Sequence, residues 1–282
     1  MNDNNWIIDN LEFAIEAWNN TLNTIWQLLT AHPSEFRQGA VWRTMLSVNG
    51  ALQSIGFALL VLFFLIGVVK TSGSFAEVKK PEHALKLFVR FVLAKAAISY
   101  GMDLLMALFS IVQGAIHAVV NVSGLSAASP AELPDEIRSA VNEVGFFASI
   151  PLWAVSLIGC LVIIALTFIV LLTVYGRFFK LFIYVAIAPI PLASFGGEPS
   201  SSIGKSFLKS YAAVCIEGII IVISCVIFTL MASVSPLPAT GSAEAIPLMW
   251  SYIMQLVFNM LILVGTVRMA DRVVREMMGL YG

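Results

Sequence analysis

The chain has 282 residues, of which 59% are apolar and only 12% are Asp, Glu, Lys or Arg, where soluble domains run near ~45–50% and ~25%. With a mean hydropathy of +0.90, this excludes a soluble enzyme domain, a disordered chain and a secreted disulfide scaffold. A formal net charge of −1 gives no basic surface for nucleic acid.

Read in chain order, residues 1–47 form an extracytoplasmic amphipathic helix and loop. Leu11, Ile15, Trp18, Leu22, Ile25 and Leu29 recur at spacings of three and four, which predicts a helix over Trp6–Leu29. Its other face bears Asn10, Asn20, Asn23, Gln27 and acids rather than the basic residues of an interface-lying helix. It is expected to pack on its own bundle or on a neighbouring subunit. Met1–Trp6 has no basic stretch, and no signal peptide is expected there.

Residues 48–267 read as a transmembrane bundle. A bilayer core of ~30 Å needs about 20 helical residues. Val48–Val69, Phe91–Val120 (overlong), Ile150–Tyr175, Tyr211–Val234 and Leu248–Val267 meet that length. The loop 121–149, with Pro130 and Pro134, is the largest outer connection. The apolar stretch Leu181–Phe195 has 15 residues and contains Ala188-Pro189-Ile190-Pro191. Proline drives the preceding residue from the α region and removes a donor, so helix should end near Ile187. Residues 181–195 are therefore expected as a re-entrant or broken segment, backed by protein or a wet cavity.

Charge placement agrees with five crossings. Lys70, Lys79, Lys80, Lys86, Arg177, Lys180, Lys205, Lys209, Arg268, Arg272 and Arg275 then share one side, against Arg37, Arg43 and Arg138 on the other. A sixth crossing would turn eleven against three into six against eight. The positive-inside rule places the N-terminus outside and the C-terminus in the cytoplasm. The tail 268–282 is basic, with Arg268, Arg272 and Arg275 on one helical face, suited to anionic lipid or to a cytoplasmic partner.

Ionisable residues inside spans are expensive and mark sites. Lys95 lies ~6 Å into the second span and Glu217 ~9 Å into the fourth, from the same side, by the rise of 1.5 Å per residue. A Lys95–Glu217 pair is expected, either fixing helix register or lining a polar pathway, with Asp103 deeper in the span. Ala97, Gly101, Ser110, Gly114 and Ala118 supply small residues for close helix packing. Gly204-Lys205-Ser206 resembles the end of a phosphate-binding loop, but Pro199 occupies the first glycine position and no strand–helix unit surrounds it. Cys160, Cys215 and Cys225 lie in apolar runs, and His32, His83 and His117 lack ligand spacing. No catalytic set, metal or cofactor is expected.

The stretch Tyr175-Gly176-Arg177-Phe178-Phe179-Lys180, then Ala-Pro-Ile-Pro-Leu within 186–195, Gly-Gly-Glu-Pro and Lys209-Ser210-Tyr211 resembles the TrbL-like family. That family supplies the polytopic inner-membrane subunit of conjugative type IV secretion systems, here most similar to those of Gram-positive integrative conjugative elements. The similarity covers roughly 175–223. It implies a bacterial membrane homo-oligomer at the base of the transfer channel, beside secretion ATPases and other membrane subunits. Single-stranded DNA with its relaxase would be the transient cargo. The resemblance brings no catalytic residues with it; the candidate residues are those of the broken segment (Pro189, Pro191), the following loop (Gly196, Gly197, Glu198, Pro199) and the span charges Lys95, Asp103 and Glu217. A secondary transporter or ion channel using the broken helix is the rival reading.

Overall fold

The computed structural model describes residues 5–71, 81–123, 131–232 and 245–280, and every regular element among them is helical. In order these are α1 (Asn5–Thr30), a 3-10 helix at Pro33–Gly39, α2 (Ala40–Thr71), α3 (Pro81–Ser99), α4 (Gly101–Ser123), α5 (Asp135–Asn142), α6 (Phe146–Ile187), α7 (Pro189–Ala193), a 3-10 turn at Ser194–Gly196, α8 (Ser201–Ala232) and α9 (Ala245–Met277). Five helices are long and apolar enough to cross a membrane: Ala40–Lys70, Gly101–Val122, Ser149–Ile187, Ser201–Met231 and Ile246–Met277. The chain is thus an all-α, polytopic helical membrane protein. Lys79, Lys80, Pro130 and the Val234 end of the fourth expected span lie outside the described residues.

Two boundaries differ from expectation. The overlong stretch Phe91–Val120 is two helices meeting at Tyr100, and α4 alone has the length and apolarity of a span. Backbone bonds continue across the join, with Tyr100 N–H donating to Ala96 at 2.8 Å and Leu104 N–H to Tyr100 at 3.0 Å, so the chain does not unwind there. The segment 181–195 is broken where expected, but its first half is not a helix of its own. Helix α6 runs unbroken from Phe146 through Tyr175 to Ile187, so 181–187 are its last two turns and the break falls at Ala188. Ala188 itself stays in the α region (φ −48°, ψ −39°). Pro189 is the first residue of α7, where the missing donor costs nothing and the fixed φ suits a helix start.

Residue contacts divide the chain into two compact units, Met1–Thr30 with Ile116–Tyr175 and Ile220–Ala270, and Ala31–Ala115 with Gly176–Ile219 and Asp271–Gly282. In the first unit, Ile7, Ile8, Leu11 and Ile15 of α1 pack with Leu133, Ile137 and Val141 around α5, and with Leu152, Met249 and Ile253. Trp18 is fully buried, its ring 5.8 Å from Phe228. The Asn19 amide donates to the Ala131 carbonyl at 2.8 Å, and its oxygen accepts from Ala131 N–H at 2.9 Å. Arg138 of α5 pairs with Glu12 of α1. A buried aliphatic side chain contributes about 1.5–3 kcal/mol and a half-exposed ion pair ~0–1 kcal/mol. The apolar stripe therefore holds α1, and it holds it to the chain's own bundle.

In the second unit α2 lies against 189–197 through small residues. A Cβ on Gly56 would come within 2.8 Å of the Pro189 carbonyl, and one on Gly67 within 3.0 Å of the Gly197 Cα. Close approach, not side-chain volume, sets this contact.

Candidate functional site

Helices α6, α8 and α9 bring five charged side chains together within the second unit. Arg177 follows a run of apolar residues in α6 and is buried to 1% exposure. Its Nε donates to the Val214 carbonyl at 3.0 Å and its Nη2 to the Cys215 carbonyl at 3.2 Å, both on α8. These carbonyls belong to the helix ladder, so the guanidinium caps them from the side. Gly218 makes that possible, because a Cβ there would meet the guanidinium carbon at 2.6 Å. The Phe178 ring lies 5.8 Å from the same carbon and stacks on Phe36, with centroids 5.5 Å apart.

One turn along α6, Lys180 Nζ reaches Asp271 Oδ1 of α9 at 3.1 Å and Glu217 Oε2 of α8 at 3.8 Å. Asp271 also accepts from Arg275 Nε at 3.0 Å. Glu217 is 2% exposed. Neither its Oε2 nor Arg177 Nη1 has a hydrogen-bond partner among the described residues. Three cations thus meet two carboxylates where three helices join. Removing one member of such a buried set strands the others, so the set fixes helix positions strongly even where its net contribution to stability is small.

The expected Lys95–Glu217 pair is not formed. Glu217 takes Lys180 instead, and Lys95 is exposed on α3 without an ion pair among the described residues. Asp103 is also exposed, in the first turn of α4, where the helix dipole favours a carboxylate. Neither lies in a buried site: Lys95 precedes the apolar helix that begins at Gly101, and Asp103 opens it. The pairing was misjudged because equal depth does not fix which faces meet. Arg177, Lys180 and Arg275 read in the sequence only as topology markers or as a basic tail, and Asp271 is not singled out there. The available signal was Arg177 within apolar sequence and a helical glycine, Gly218, beside Glu217.

The proline–glycine segment forms a second cluster in the same unit. Gly196 is buried, and a Cβ there would sit 2.5 Å from a Leu60 methyl. Gly197 abuts the Phe63 carbonyl. Glu198 pairs with Arg90 of α3 at 3.0 Å. Ser200 Oγ donates to the Ser194 carbonyl at 2.8 Å, and Ser194 Oγ accepts from Gly204 N–H at 2.8 Å. Gly204 packs against the Phe195 ring, a Cβ position lying 2.8 Å away. That contact accounts for the glycine of the Gly-Lys-Ser run, which sits inside α8. Pro189, Gly196, Gly197 and Glu198 are therefore brought together along α2 and α3. Among the described residues no group of His, Cys, Asp or Glu is placed to hold a metal ion.

Residues 18–189 match the family model described as TrbL/VirB6 plasmid conjugal transfer like protein. The match overlaps the motif-bearing stretch only in Tyr175–Pro189 and extends over the preceding spans. Comparisons with curated proteins and with solved structures return no match.

Proposed function

This chain belongs to the TrbL/VirB6 plasmid conjugal transfer-like family, and from that premise we propose that it is a scaffold of the conjugative type IV secretion channel. Family membership makes it a membrane component of conjugal transfer. The observation that favours a scaffold over a charged conduit is the burial of Arg177 and Glu217, at 1% and 2% exposure. Their charges are spent between helices of the chain and reach no surface that cargo could touch.

In this reading the protein sits in the bacterial cytoplasmic membrane as a homo-oligomer, N-terminus outside and C-terminus in the cytoplasm. Other membrane subunits and the secretion ATPases assemble on it, and single-stranded DNA with its relaxase passes beside it. The test is deletion and complementation in donor cells, with mating frequency and crosslinked partners as readouts. Loss of mating, and a large assembly containing a secretion ATPase, are expected. Normal mating without the chain, with solute flux through proteoliposomes, would instead support a transporter.

A further inference from the structure

Helix α9 has two faces. Met249, Ile253, Met260, Leu263 and Val267 are buried in the chain's own core, whereas Met254, Phe258, Leu261 and Met269 are exposed. Along the outer side Ser251, Gln255, Phe258, Ile262, Gly265 and Met269 follow one another at alternating steps of four and three, the spacing of a seam along which two helices pack. Gly265 has nothing within 4 Å of its Cβ position, so a second backbone can come close there.

The middle of this seam is polar. Gln255 and Asn259, one turn apart and half-buried, have no hydrogen-bond partner among the described residues. Both lie within ~4 Å of the midpoint of the expected span Leu248–Val267, by the rise per residue. At that depth in ~30 Å of hydrocarbon neither side chain reaches the headgroups. The hydroxyls of α9 nearby are satisfied within the helix: Ser251 Oγ donates to the Leu248 carbonyl at 2.8 Å and Thr266 Oγ1 to the Leu263 carbonyl at 2.9 Å. Lipid tails offer an amide nothing, so an unpaired one in hydrocarbon favours helix association. Asn259 borders a crevice against Ser224 and Phe228 of α8, which leaves Gln255 as the amide on the seam itself.

A partner for Gln255 must both donate and accept at mid-membrane depth. A second copy inserted in the same direction does so of necessity, because its own Gln255 stands at the same depth and an amide complements itself. We propose that copies of this chain meet through α9, parallel and seam to seam, with their Gln255 side chains hydrogen-bonded to one another across the contact. This gives a face to the homo-oligomer of the secretion reading and rests on that part of it.

The test uses the full chain in proteoliposomes, with association followed by energy transfer between differently tagged copies as lipid is added. Gln255→Leu keeps the volume and removes the amide, and should raise the apparent dissociation constant about three- to twenty-fold. Under mild oxidant Phe258→Cys should give a disulfide-linked dimer, whereas Ile55→Cys, exposed on α2, should not. A chain that is monomeric at every dilution would overturn both the contact and the homo-oligomer. Association that ignores Gln255→Leu, in protein with an unchanged elution profile, would overturn the contact alone. So would crosslinking through Ile55→Cys but not through Phe258→Cys. The place in the secretion channel is judged separately, by mating.

Discussion

The first unit carries nine acidic and two basic residues, whereas the second carries fourteen basic and eight acidic. The units also differ in how they use charge. Among the described residues, the two charged side chains that are fully buried, Arg177 and Glu217, belong to the basic unit. In the acidic unit the charged pair Glu12–Arg138 stays half-exposed, at 39% and 43%, over an apolar core. One unit is therefore held by side-chain volume. The other also buries large side chains such as Phe109, Phe178 and Tyr211, and adds backbone proximity and ion pairs that specify partners more than they stabilise.

The sharpest way to break this contrast is Arg177→Met, which removes both donors to the Val214 and Cys215 carbonyls and takes one buried positive charge from the set that holds Glu217. It should cost about 3–5 kcal/mol, read as a lower unfolding midpoint in mild detergent. Arg177→Lys should fail to restore it, because a point ammonium cannot serve the two carbonyls as a fork does. Adding Glu217→Gln should recover part of the loss. A fully stable Arg177→Met protein would show that the buried charges are incidental.

Leu11→Ala probes the other unit. Deleting a side chain that is 1% exposed should cost about 2–5 kcal/mol, seen as a lowered midpoint. The effect should not depend on salt. A loss within noise would mean that α1 is held by something other than its stripe.

Two glycines of one helix sharpen the backbone half of the comparison. Gly67→Ala must displace Gly197 and should destabilise by about 1–3 kcal/mol. Gly50 has nothing within 4 Å of its Cβ position, and Gly50→Ala should instead stabilise by about 0.5–1 kcal/mol. Thermal unfolding monitored by size exclusion separates the two signs. If both substitutions destabilise, close approach is not what distinguishes them.

Arg138→Gln should matter least, below ~1 kcal/mol and vanishing at high salt. Unfolding midpoints compared at low and high salt would check it.

What could be read from the sequence is what is local. The face of α1 follows from a period of three and four, and the end of α6 at Ile187 follows from Pro189. The set of five apolar helices follows from length. What could not be read depends on partners far apart in the chain. Lys180 meets Asp271 across 91 positions, and Gly56 meets Pro189 across a gap no period encodes. The helix boundary at Tyr100 carries no proline to announce it. Gly101, where a Cβ would lie 2.5 Å from a Leu192 methyl, earns its place only once the distant α7 is known.

Helix α6 has one more consequence. Its 42 residues make a rod about 63 Å long, roughly twice the ~30 Å thickness of hydrocarbon. Exposed apolar side chains continue along it, from Phe147 at 86% through Leu161 and Phe168 to Ile183 at 57%. Such a rod cannot stand upright in a flat bilayer with its whole apolar length bathed in lipid tails. Hydrophobic mismatch of this size is relieved by tilt, by local thickening of the bilayer, or by neighbours that cover the excess. Whichever of these operates, the surroundings must accommodate a helix that a single upright crossing cannot use in full.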